Sequence, residues 1–116
     1  MPKSLVRERP PGDALDLVFH ALADPTRRSV VERLGQGPAA TSVLAEPYPM
    51  ALPSFVQHLD VLERSGLVTS QKVGRVRTYA LVADRLDAAQ TWFDAQRDLW
   101  NRRLDQLDAY LRTPPD

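Results

Sequence analysis

Three side chains with hydrogen-bonding heads, Ser54, Gln57 and His58, fall at helical spacing within the stretch Leu52–Gly66. They share a face that is small, polar and nearly uncharged, and Val61 joins it by spacing. Such a face offers donors and acceptors to base edges in a DNA major groove, with a methyl-bearing residue for thymine. Glutamine suits adenine, whose N6 and N7 it can bond as a pair. Val56 falls by spacing on the opposite, apolar face, where it packs in a core or lies against a thymine methyl. A second group, Lys72, Arg75 and Arg77, sits in a segment (71–79) that carries no acid. Cations placed in this way suit phosphate oxygens beside a groove. The competing readings are a solvated helix face and a hairpin whose Lys and Arg guard its edges.

Other chemistry is poorly provided for. The chain has no cysteine, which excludes disulfides, thiolate metal sites and thiol redox sensing. No Gly-rich phosphate loop follows a strand, no Gly-x-Ser-x-Gly turn occurs, and His20 and His58 have no acid/base partner at motif spacing. No enzyme and no cofactor are expected.

The elements that must position these groups can be read from periodicity. In Leu52–Gly66, Pro53 suits the first turn of a helix and Gly66 suits its end. Leu52, Phe55, Val56, Leu59 and Leu62 form an apolar stripe between them. Upstream, a helix is expected from about Asp13 to Ala23, capped by Asp13, with Leu15, Val18, Phe19 and Leu22 inward. Asp24 followed by Pro25 starts a second helix, running to about Leu34 and burying Val30, Val31 and Leu34. Gly35 and Gly37 end it. A short helix from Thr41 or Ser42 would turn Val43, Leu44 and Ala45 inward. Glu46-Pro47-Tyr48-Pro49 then makes a rigid turn, because each proline restricts itself and its predecessor. A short helix, a tight turn and an amphipathic helix make a helix-turn-helix. Past Gly66 the period becomes two: residues 67–73 and 76–81 read as strands around a Gly74-Arg75 turn. Directly after a helix-turn-helix, this hairpin reads as a wing.

The last third is one helix, about Asp84 to Leu111, with Leu86, Phe93, Trp100 and Leu107 recurring every seven residues and Trp92, Leu99, Leu104 and Leu111 widening the stripe. It would be about 40 Å long. A domain of 116 residues cannot cover it, so a second copy packed with twofold symmetry is expected, with Leu15 and Phe19 of the first helix joining the interface. The expected fold is mostly α with a β-hairpin wing, a dimeric winged helix-turn-helix in the order α-α-α-α-β-β-α. It occupies residues 13–112 between tails 1–12 and 113–116. The formal net charge is zero, yet a basic strip can still be presented, because residues 84–116 hold seven Asp against five Arg. No apolar run is of membrane-spanning length and no secretory pattern opens the chain, so a cytoplasmic protein is expected.

Ala-Leu-Ala-Asp-Pro-Thr-Arg-Arg at 21–28, His-Leu-Asp-Val-Leu-Glu-Arg-Ser-Gly-Leu-Val at 58–68 and Gly-Arg-Val-Arg-Thr-Tyr at 74–79 resemble the ArsR (ArsR/SmtB) family of winged-helix bacterial repressors. The resemblance runs from about Val18 to Leu111. It implies a homodimer built from the first and last helices, and operator binding that blocks transcription. The chain departs from the family pattern in two ways. Serines usual at the start of the recognition helix and two residues before its histidine are Ala51 and Val56 here, so a cap hydroxyl and one polar DNA contact are missing. Many members hold metal through cysteines on the helix before the recognition helix, or through Asp and His on the last helix. Here the former has neither Cys nor His, and the last helix has no His. Asp94 and Asp98 alone make a poor transition-metal site. No metal is expected, and the inducer is left open, with a small organic ligand or the protein's own level as alternatives. The remaining rival is a winged helix that binds only protein, against which the basic wing tip argues.

Overall fold

The computed structural model describes residues 13–113, so the expected tails, with the exception of Thr113, lie outside the described residues. The elements run α1 (Asp13–Leu22), α2 (Pro25–Leu34), β1 (Ala39–Ala40), α3 (Thr41–Ala45), α4 (Leu52–Arg64), β2 (Val68–Val73), β3 (Val76–Leu81) and α5 (Ala83–Arg112). No described helix is long and apolar enough to cross a membrane.

Each boundary has a local cause. At α2 the Asp24 carboxylate accepts the Arg27 amide at 3.0 Å, and Pro25 opens the helix. Helix α4 ends on Ser65, whose hydroxyl donates to the Leu62 carbonyl at 2.7 Å. Gly66 follows with φ of 84°, the left-handed conformation that closes helices. Gly74 has φ of 63° while Arg75 does not turn positive, the pattern of a type II′ hairpin turn.

The core gathers Val18, Val30, Phe55, Leu59, Leu62 and Leu67, all essentially fully buried, with Leu44 and Tyr79 beside them. Each such aliphatic or aromatic side chain contributes roughly 1.5–3 kcal/mol by leaving water. Helix α4 thus rests on α1, α2 and the sheet along a stripe of three side chains, Phe55, Leu59 and Leu62.

Three expectations are corrected. The stripe of α4 does not begin at Leu52, which is 55% exposed: the first turn overhangs the core, so a side chain in phase with the stripe meets solvent. Val43 is 50% exposed, because the single turn of α3 buries only Leu44. Val61 is half-buried against the core rather than part of the outer face, since the core wraps beyond the central stripe. One element was not expected. β1 pairs Ala39 with Tyr79 and Ala40 with Thr78, making the hairpin a three-stranded antiparallel sheet in the order β1-β3-β2. It covers the edge of β3 that would otherwise present unpaired backbone groups.

Candidate nucleic-acid interface

With Phe55, Leu59 and Leu62 buried, the outer residues of α4 are fixed in direction. Ser54 and Gln57 are exposed, one helical turn apart, and meet no other side chain in a hydrogen bond among the described residues. His58 is half-buried and is held differently. Its Nδ1 lies 3.1 Å from Arg27 Nη1 and 3.7 Å from Asp24 Oδ2. It therefore sits at the seam between α4 and the start of α2 and has one ring nitrogen, Nε2, left for a ligand. Burial pushes the Asp24 carboxyl up, but the Arg27 amide, then the charges of His58 and Arg27, outweigh this and hold it below its ordinary 3.8.

The wing is built so that one of its faces looks at α4. Directly paired residues share a face. Lys72 opposes Arg77 and Ser70 opposes Tyr79, so all four lie on that face. Arg77 Nη1 donates to Ser70 Oγ at 2.9 Å, and Ser70 Oγ donates to Glu63 Oε2 at 2.8 Å. This chain ties the wing to the recognition helix. Between them runs a groove of about 670 Å³ lined by Leu52, Val56, Asp60, Glu63, Lys72, Arg75, Val76, Arg77 and Tyr79. Burial, reinforced by Glu63 and Asp60 against the opposing charge of Arg77, pushes the Tyr79 phenol up, so it remains a protonated donor at neutral pH.

The expected contact residues therefore fall into three places. Ser54 and Gln57 share the open face of α4. Lys72, Arg75 and Arg77 line the wing side of the groove, with Arg77 engaged by Ser70. Val56 is half-buried within the groove, and His58 stands apart at the α2 seam. Sequence reasoning missed Leu52, Asp60, Glu63 and Val76 as groove walls. The helical phase of Asp60 and Glu63 relative to Val56 was a usable signal, since all three fall within two turns.

At the other end, α5 is 30 residues long and only Ala89 on it is buried. Phe19 packs edge-on against Trp92 and Phe93, with ring centroids 5.4 and 5.6 Å apart. Leu15, Phe19 and Leu86 lean partly on the core of their own chain. Trp92, Phe93, Leu99, Trp100, Leu104 and Leu107 are exposed, as are Tyr110 and Leu17, which periodicity did not single out. Asp94 accepts from Gln90 Nε2 at 3.0 Å. Among the described residues no three His, Cys, Asp or Glu side chains gather as a metal site would require.

A helix-turn-helix domain family matches residues 22–71, from the end of α1 into the wing. The HTH-type transcriptional regulator Rv2034 of Mycobacterium tuberculosis is 42% identical over 89 residues, which span 77% of this chain and 80% of that protein. The crystal structure of the ArsR family transcriptional regulator RHA00566 superposes with a TM-score of 0.75 at 48% identity, covering 77% of this chain and 92% of that one. The chain belongs to the ArsR family. As an ArsR-family protein it is a DNA-binding transcriptional regulator, and its α3–α4 pair and β2–β3 hairpin are the helix-turn-helix and the wing. A further family relative, the transcriptional repressor SdpR of Bacillus subtilis, is 29% identical over 75 residues, 65% of this chain and 83% of that protein.

Proposed function

We propose that this ArsR-family regulator is a homodimeric repressor that binds a partly palindromic operator and acts without a transition metal or a catalytic step. The observation that carries the reading is the outer face of α4. Ser54 and Gln57 are held outward by three fully buried side chains, beside a wing that carries Lys72, Arg75 and Arg77. Ser54, Gln57 and His58 meet base edges. Arg75, Arg77 and Lys72 meet phosphate. Val56, half-buried in the groove, serves packing first and a thymine methyl at most at its rim. Repression is supported by the relative SdpR, and dimerisation by the exposed stripe of α5. Twofold protein symmetry calls for half-sites about one turn, on the order of 10 base pairs, apart.

The test is a salt titration of binding on the operator and on random duplex, the operator being found by sequencing genomic fragments that the protein retains. Gln57→Ala should cost roughly 1–3 kcal/mol on the operator and little on random DNA. Arg75→Ala should weaken both and lower the salt slope by about one per lost phosphate contact in each subunit. If Gln57→Ala weakened both duplexes equally, or Arg75→Ala only the operator, the assigned roles would be reversed. A protein that retarded no fragment would instead be a protein-binding winged helix.

A further inference from the structure

Arg27 leaves α2 and reaches back across the α1–α2 corner. Its Nε donates to the Ala21 carbonyl at 2.8 Å and its Nη2 to the His20 carbonyl at 3.0 Å. Both carbonyls lie in the last turn of α1, where intrahelical partners run out, and the His20 carbonyl also accepts the Ala23 amide at 3.2 Å. These two bonds fix the plane of the guanidinium, and its Nη1 then points at Nδ1 of His58 on α4, 3.1 Å away. A guanidinium has donors only and keeps its charge at any ordinary pH. Nδ1 must therefore accept, and in a neutral imidazole that leaves the proton on Nε2. Asp24 does not compete for Nδ1. At 3.7 Å its Oδ2 is too far for a hydrogen bond, and it already accepts the Arg27 amide. Among the described residues Nε2 has no protein partner, and no buried side-chain nitrogen or oxygen lacks one, so Nε2 meets solvent.

We infer that Arg27 is a positioning residue that locks His58 in its Nε2–H form, so that this histidine offers DNA a donor and never an acceptor. The consequence for specificity rests on the reading above, in which His58 meets a base edge. A free histidine exchanges its tautomers and can face either kind of atom. A locked one is confined to acceptors and is turned away by the amino groups of adenine and cytosine. Guanine, with N7 and O6 side by side, is the base it fits best. Arg27 touches no DNA in this arrangement. It sets which base His58 accepts.

The first measurement needs no variant. Nitrogen-15 NMR of the neutral His58 ring in the whole protein should show Nε2 protonated and Nδ1 bare. A protonated Nδ1, or an exchanging mixture, overturns the inference. Arg27→Lys keeps a donor and should preserve the locked form, whereas Arg27→Met should release the mixture. If Arg27→Met does not fold, the wild-type spectrum still decides. The second measurement replaces each operator guanine in turn by 7-deazaguanine, which lacks the N7 acceptor. One position should lose roughly tenfold in affinity with wild-type protein, and His58→Ala should be insensitive there. A locked spectrum together with unchanged operator affinity in His58→Ala would overturn the base contact and its specificity, and would leave the tautomer lock established.

Discussion

At Ala51 a hydroxyl is absent where a helix start has use for one. Its backbone, φ −62° and ψ 144°, is that of an N-cap, yet no side chain caps α4. Ala51→Ser should stabilise the fold by about 0.5–2 kcal/mol, read as a higher urea midpoint at unchanged slope, and a midpoint that stays put or falls would refute the cap. Asp24 is the opposite case. Asp24→Ala should cost about 0.5–2 kcal/mol near neutral pH. Its carboxyl titrates lower in the fold than its ordinary 3.8, so its contribution is full above that value and fades as pH falls through the lower folded one. The gap between wild type and variant should therefore close only in acid, and a gap that closed near neutrality would disprove the linkage. Asp24 was legible as a cap because Asp-Pro is a local signal. The tie between Arg27 and His58 was not legible. It joins residues 31 apart, and a single side chain reaching across a corner leaves no periodic trace.

Periodicity assigns a face to a residue but not the place where the core ends. This is why α1, α2, α4, α5 and the hairpin could be read from the chain, while Leu52 and Val43 were turned the wrong way. Leu52 stands in phase with buried neighbours in a first turn that overhangs the core, and Val43 sits in the middle of a single turn too short to bury more than Leu44. β1 was invisible for a related reason. Two alanines are too few to alternate and have little strand preference, and only Tyr79 and Thr78 across the ladder make them a strand. A Cβ at Gly74 would meet open space, so a side chain there costs only through the φ of 63°. Gly74→Val should destabilise the protein by about 1–3 kcal/mol and weaken operator and random DNA alike, because the turn that presents Arg75 is distorted. Unaltered binding to both duplexes would mean that the wing tip holds no phosphate.

For the whole molecule the deciding fact is α5, with Ala89 as its one buried residue and Trp100 65% exposed. The seven-residue spacing made the stripe plain, whereas what covers it is not a property of one chain. Trp100→Asp would bury a charge in the proposed interface, so light scattering at micromolar concentration should find monomer or precipitate where wild type is a dimer. A monomeric wild type would remove the second copy from the account. Calorimetry with zinc, nickel and cadmium should show no site tighter than about micromolar, and a nanomolar site that releases DNA would overturn the metal-free reading. If the stripe of α5 is closed by a second copy, stability and occupancy become matters of mass action. The melting temperature of the free protein should climb with its concentration. Below the dissociation constant of the dimer, the amount of operator-competent dimer grows as the square of the chain's abundance. Dilution of the protein in a growing cell would then lift repression more steeply than in proportion, and the long bare helix would make the regulator a gauge of its own copy number.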